Sequence, residues 1–457
     1  MNWALIFAAT LVACEILLAL PFQAKLSTVT GFSTKAARVV SSAKVSDHWK
    51  ERALPAFALR IGLACMALLG MLVLIIVPFG LAGLLYDGGP VALTETMLRP
   101  LVTLGMIVGS IGYMKLRVGG GAKAQSDYSA TDRFLHRVAL GAPVLPEVIH
   151  DVERGLYLKG APPSREGAHV FVCGLARAGT TILTRELYNT GQFGSLTYRD
   201  MPFVMAPNLW TNLSRSSKME AKDRAHGDGI QVDLDSPEAL DEVFWRVTCG
   251  GDYIRDDGLA LHKPDADALS GYADFISLVL RRTGKERYLS KNNNNILRIP
   301  ALAGYFPKAR FIVPVRDPLQ HANSLLGQHK RFQTADAFET DYFTWLAHHE
   351  FGKAHRPFLF KGRPLTSPDD VNYWLETWIA TYSHLNAVRA KVGAALRFVS
   401  YERLCGDPAY RAALWQSLGI EDAAFAEMRE IPQKPVDGVR PELAEAAAAL
   451  YAEIGRF

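Results

Sequence analysis

Residues 170–187 read VFVCGLARAGTTILTREL. An apolar run leads into a short segment bounded by Gly174 and Gly179, and a helix opens at Thr180. Glycines let a backbone turn with positive φ and let its N–H groups approach a ligand without Cβ obstruction. A helix N-terminus adds about half a positive charge at the same point. The stretch is an anion cradle set between a strand and a helix. A nucleoside triphosphatase loop of this spacing carries lysine where Thr180 stands and needs an acidic strand end for magnesium. Here the cation is Arg177, inside the loop. One internal arginine followed by hydroxyls suits a smaller anion of lower charge, held with no metal. The plainer alternative is a glycine turn with a solvent-facing arginine.

Around this loop the composition is uneven. Apolar residues make up 49% of the 457, and three runs near the N-terminus, 3–22, 61–85 and 97–114, are long enough to cross a bilayer. The first has no basic residue ahead of it and carries Glu15, so it reads as an anchor and not as a cleaved signal. Buried core helices or a re-entrant hairpin are the alternatives, but 61–85 holds no charge at all. Lys25, Lys35, Arg38, Lys44, Lys50, Arg52 and Arg60 lie between the first two runs, none lies in 87–96, and Lys115, Arg117 and Lys123 follow the third. Basic residues resist translocation, which places the N-terminus outside and everything after residue 115 in the cytoplasm. Five cysteines are too few for a disulfide framework. The formal charge of +4 includes the juxtamembrane lysines, so nucleic-acid binding is not expected.

Residues 118–133 are rich in Gly and Ser and read as a linker. The segment 134–159 has helical periodicity broken at prolines, and either lies on the membrane surface or packs on the next domain. From His169 onward, strand-like runs (HVFVCG, RYLSK, ARFIVPV, LRFVSY) alternate with helical stretches. That alternation implies a parallel sheet covered on both faces, an α/β three-layer fold. The expected organisation is a membrane region over 1–117, a linker and juxtamembrane helix over 118–165, and the α/β domain over 166–457.

GLARAGTT followed by TILTREL resembles the 5′-phosphosulfate loop of the sulfotransferase family, usually Gly-x-x-[Arg/Lys]-Ser-Gly-Thr-Thr, with Ala178 standing where the family usually has Ser. FPKARFIVPVRDPLQHANSLL, residues 306–326, is similar to the family's 3′-phosphate site, in which a strand-end arginine and a serine eight residues on hold the ribose phosphate. A guanidinium fork matches phosphate geometry bidentately. A magnesium-binding strand end at Asp317 is the alternative, and Arg316 before it with Pro318 after it make a poor metal site. RFVSYERLCGDP, residues 397–408, resembles the family's late strand and its Tyr-Glu-x-Leu-x-x-Asp-Pro ending. The three motifs stand in family order.

The resemblance implies a P-loop-like fold and the donor 3′-phosphoadenosine 5′-phosphosulfate. Carried over residue by residue, Arg177, Ala178, Gly179, Thr180, Thr181, Arg316, Ser324 and Tyr401 are the expected donor-binding residues, and Lys291 is the cation for the sulfonate. Relatives often read Lys-x-Pro at Lys291, where this chain has the run Asn292–Asn295. Asp200 stands near where carboxylate-using relatives place their base. The cluster from His226 to Glu242 supplies the second choices, His226 and Glu242, with Ser236-Pro237 read as the start of a helix that puts Glu238 and Glu242 on one face. Anchoring makes sense if the acceptor is lipid or a lipid-linked saccharide, although a soluble acceptor stays open. The rivals are a degenerate P-loop NTPase or kinase and a non-catalytic membrane adaptor.

Overall fold

The computed structural model describes residues 2–22, 47–99, 130–141, 143–214, 222–223, 231–232, 235–360, 366–420 and 432–455, with scattered positions between 25 and 39 and between 102 and 117. They fall into two compact units, 1–133 and 134–457.

The first unit contains α1 (Asn2–Ala19), α2 (Asp47–Leu85) and α3 (Gly89–Met97). Helix α1 ends before Pro21, whose ring disfavours helical backbone at residue 20. Its apolar part, Trp3–Ala19, is therefore shorter than the run 3–22 and short of a full span. Within α2, Ala53–Leu85 is the one described helix long and apolar enough to cross a membrane. The expected third span, 97–114, falls largely outside the described residues, so of the three expected spans only 61–85 lies within a described helix of sufficient length. Ile6 and Ala9 pack against Ala82, Leu93 and Val102. Glu15, an acid inside an apolar run, accepts from the Tyr113 hydroxyl at 2.7 Å and Arg117 Nε at 3.0 Å, the pairing such a residue needs.

Residues 130–133 of the expected linker open the helix α4 (Ala130–Leu140), which runs on into the second unit, where α5 (Val144–Tyr157) follows. The remaining order is β1 (Val170–Val172), α6 (Thr180–Asn189), β2 (Phe193–Gly194), α7 (Pro207–Ser214), α8 (Glu242–Tyr253), α9 (Ala266–Thr283), β3 (Arg287–Lys291), α10 (Ile299–Tyr305), β4 (Arg310–Val315), α11 (Pro318–Phe332), α12 (Ala337–Trp345), α13 (Val371–Val392), β5 (Leu396–Ser400), α14 (Tyr401–Gly406), α15 (Pro408–Ser417) and α16 (Pro441–Ile454). The five strands form one parallel sheet in the order β2-β3-β1-β4-β5.

The side-chain period of two divides the core. Val170, Val172, Leu289, Ile312 and Val399 face Leu183 and Leu187 of α6 and Leu404, Leu414 and Trp415 of α14 and α15. On the other face Phe171 stacks on Phe311 at 5.0 Å and meets Tyr288 and Phe306, while Tyr272 of α9 and Tyr382 of α13 close the layer. Helices cover both faces, which gives the three-layer α/β arrangement. Strand β1 is central, flanked by β3 and β4, so the crevice beyond its C-terminal end lies at the topological switch point.

One local expectation fails. Residues 236–241 are not helical: Glu238 N donates to Leu196 O at 3.2 Å and Pro237 bridges Thr197, so the segment runs beside 196–197 and α8 starts only at Glu242. Pairing with a neighbouring chain segment displaces the helix turn, and Glu238 and Glu242 do not share a helix face.

Candidate active site

The loop after β1 is shaped by positive φ. Gly174 has φ 137° and Gly179 φ 98°, and Arg177, at φ 69°, holds the left-handed conformation that a non-glycine residue adopts at a cost of about 1–2 kcal/mol. A Cβ at Gly179 would collide with the Tyr401 ring, so glycine is required there for space as well as for backbone angle. Ala178 is fully buried. Thr180 opens α6 and is itself buried.

Elements from the far side of β1 complete the cradle. Arg316, at the end of β4, is 7% exposed and lies over the Tyr401 ring at 5.9 Å. Ser324 on α11 accepts from Arg177 Nε at 3.4 Å. His321, one turn earlier on α11, donates from Nε2 to Ala176 O at 2.8 Å. Burial pushes its pKa down to about 3, so it is a neutral tether for the loop. The expected set Arg177, Ala178, Gly179, Thr180, Thr181, Arg316, Ser324 and Tyr401 is thus gathered around one loop.

An open cavity adjoins it, lined by Arg177, Thr180 and Thr181 together with Lys291, Asn293, His348 and Glu350, and walled by Phe332, Phe343 and Phe351. Lys291 Nζ lies 2.5 Å from Glu238 Oε1, and both side chains are about 5% exposed. Glu238 also accepts from Tyr198 Oη at 2.7 Å and from Ala239 N at 2.8 Å. His348 Nε2 stands 2.9 Å from Ala239 O. A carbonyl only accepts, so Nε2 carries a proton, and in the neutral ring the lone pair is on Nδ1. His348 follows Ala347, whose φ is 52°. The Asn292–Asn295 run supports this turn: Asn294 Nδ2 donates to Ala347 O at 3.0 Å and Asn293 Nδ2 to Glu350 Oε1 at 2.9 Å.

Two of the expected proton acceptors, Asp200 and Glu242, are elsewhere. Asp200 is 1% exposed and absent from the cavity wall. Its Oδ2 accepts from Thr197 N at 2.7 Å and Arg282 Nη2 at 3.0 Å, a cap and an ion pair; burial holds its pKa above the ordinary value despite Arg282. Arg199 pairs with Asp235 instead. Glu242 is equally buried, and Arg298 grips it bidentately at 2.7 and 2.8 Å, with Asn292 Nδ2 at 2.7 Å. Burial works to raise its pKa, but Arg298 and these hydrogen bonds bring it below the usual carboxylate value, so the group stays charged and structural. His226 lies outside the described residues. His348 and Glu350 escaped the sequence reading; the signal available was a paired histidine followed by glutamate in a non-helical stretch between aromatics.

Among the described residues Cys249, Asp252 and His262 bring potential metal-ligand atoms within 4.8 Å of one another. Arg298 Nε, however, donates to His262 Nδ1 at 3.0 Å. That leaves the ring proton on Nε2 and no lone pair for a metal while Arg298 stays in place.

Residues 169–363 match the model of the sulfotransferase family. This segment is a sulfotransferase-family domain. It contains the loop, Lys291, Arg316, Ser324, His348 and Glu350, while Tyr401 lies beyond it. No curated protein matches the chain. Solved structures similar to it include the sulfotransferase STF1 of Mycobacterium tuberculosis H37Rv, at 15% identity over 76% of this chain and 88% of that one with a TM-score of 0.41. STF9 of Mycobacterium avium is similar at 12% identity, 76% and 88% coverage and TM-score 0.39. A sulfotransferase from Alicyclobacillus acidocaldarius follows at 14%, 63% and 96% coverage and TM-score 0.30.

Proposed function

We propose that this chain transfers a sulfonate group from 3′-phosphoadenosine 5′-phosphosulfate to a hydroxyl of a membrane-borne acceptor, a lipid or lipid-linked saccharide. The observation that carries the reading is the cavity in which the anion cradle, Lys291 and the imidazole of His348 line one space. The cradle fits the donor: Arg177 and the helix N-terminus supply positive charge, and Arg316 with Ser324 offers a second phosphate site. Once bound, the donor supplies an activated sulfonate whose bond to phosphate breaks as the acceptor oxygen attacks.

The side chains then divide the work. Loop amides, Thr180 and Thr181 hold the leaving phosphate, and Arg177 and Lys291 face the charge spread over the sulfonate oxygens. Glu238 pairs with Lys291 beside the cavity. His348, with its proton fixed on Nε2 by Ala239 O, receives the acceptor proton at Nδ1. The apolar helix Ala53–Leu85 is the feature that supports a membrane-borne acceptor, because tethering confines the search to the bilayer. The basic segment 25–60 supports a cytoplasmic catalytic domain.

Membranes bearing the protein, sulfur-labelled donor and total lipid extract form the test. Labelled product is expected with the native chain and none with Arg177→Ala. His348→Gln is expected to keep donor affinity while turnover falls by about 10²–10⁴-fold. Equal labelling with and without Arg177 would overturn the reading.

A further inference from the structure

Helix α5 (Val144–Tyr157) is fixed to the sulfotransferase domain by its inner face. Pro146, His150 and Glu153 are buried. Glu153 accepts from Asn208 N and Nδ2 at 2.8 Å and from Leu209 N at 3.0 Å, His150 donates from Nδ1 to Met205 O, and Arg154 pairs with Asp274 at 2.6 Å. These bonds set the helix rotation, so its other face cannot turn inward. That outer face is apolar. Val144, Val148, Val152 and Leu156, exposed by 69, 53, 49 and 61%, repeat every four residues with Leu145 beside them, one continuous ridge. Six large apolar side chains are exposed among the described residues of this unit; five are these, and the sixth is Leu261.

We infer that the α5 ridge is a lipid-docking surface that seats the sulfotransferase domain on the bilayer by inserting aliphatic side chains into it. A stable contact with a second copy buries about 800 Å² per partner, more than a single ridge of five aliphatic side chains offers, whereas a bilayer accepts a ridge of any width. The acids bordering the ridge, Glu147 and Asp151, are exposed, which disfavours an anionic surface and fits docking through apolar burial. Residues 118–129, spanning at most about 40 Å when extended, join this part of the chain to the one that holds Ala53–Leu85. The inference rests on the membrane reading of that helix.

The test uses the full chain reconstituted in zwitterionic phosphatidylcholine vesicles carrying a photoactivatable acyl chain. After irradiation, tryptic peptides are mapped for label. Label on 138–154 as well as on peptides from 53–85 is expected, unchanged in high salt, and lost from 138–154 alone in the double variant Val148→Asp, Val152→Asp. Both positions are exposed, so the fold should survive, and retained binding of adenosine 3′,5′-bisphosphate checks that it does. Label on 53–85 but not 138–154 overturns the docking surface and leaves the membrane reading standing. Label on neither overturns both, and cross-linked dimers through unlabelled α5 would assign the ridge to a second copy instead.

Discussion

Glu242 shows how burial assigns a role that residue type alone leaves open. A carboxylate in this part of the chain was a reasonable proton acceptor, yet the side chain is 1% exposed and locked to Arg298, which in turn stacks over Trp245 and Tyr253 at 4.8 and 4.9 Å. Removing one partner of a buried pair leaves an uncompensated charge. Glu242→Gln should therefore destabilise the domain by about 3–5 kcal/mol, seen as a lowered melting temperature. Turnover per folded molecule should stay close to native. A loss of turnover with unchanged stability would return Glu242 to the catalytic set. Arg177 is the opposite case: it holds a strained φ and stands in the cavity wall, where the proposed donor would be bound.

The element that organises the site is the end of β3. Lys291 is its last residue, and the Asn292–Asn295 run that replaces the usual proline ties the strand end to the turn after α12. Asn292 caps the following helical turn through Asn294 N and reaches Glu242, Asn293 holds Glu350, and Asn294 holds Ala347 O. The run is a set of short amide struts between the lysine and the histidine of the proposed chemistry. Asn294→Ala would release the turn that carries His348. Turnover should drop about tenfold, equivalent to ~1.4 kcal/mol of lost positioning, while the dissociation constant for adenosine 3′,5′-bisphosphate stays as in the native chain. Equal losses in both would place Asn294 in general stability.

At the scale of the whole domain, titration is dominated by histidines buried in the neutral form. Burial lowers His169, His262 and His355 to about 4 and His321 to about 3, from 6.5. Between about pH 6.5 and 4 the unfolded chain binds protons that the folded domain refuses, so stability falls as pH drops through that window. Asp241 acts in the opposite sense. Burial raises its carboxyl to about 6 despite hydrogen bonds from Ser290, Tyr272 and Tyr288, so its folded form takes up a proton first and gains stability as pH falls from about 6 to 4. The domain should melt at progressively lower temperature on acidification, and Asp241→Asn should steepen that decline. A melting temperature flat from pH 7 to 4.5 would contradict both assignments.

The sequence by itself determined the elements and the cradle. Alternating strands and helices dictated a three-layer parallel sheet, and the spacing of Gly174, Arg177, Gly179 and Thr180 dictated an anion loop, because both depend on local backbone chemistry and short-range periodicity. The place of Arg316 and Ser324 beside the loop was legible for the same reason, since they stand at the end of one strand and on the helix that follows it. The rest depended on segments far apart in the chain meeting in space. His348 and Glu350 share a cavity wall with Lys291 only because the Asn293 and Asn294 amides tie the turn after α12 to the end of β3. Asp200 and Glu242 lose their candidacy only because Arg282 and Arg298, 82 and 56 residues away, fold against them. Which carboxylate is solvated and which is clamped is decided by burial and long-range pairing, and no local pattern carries that information.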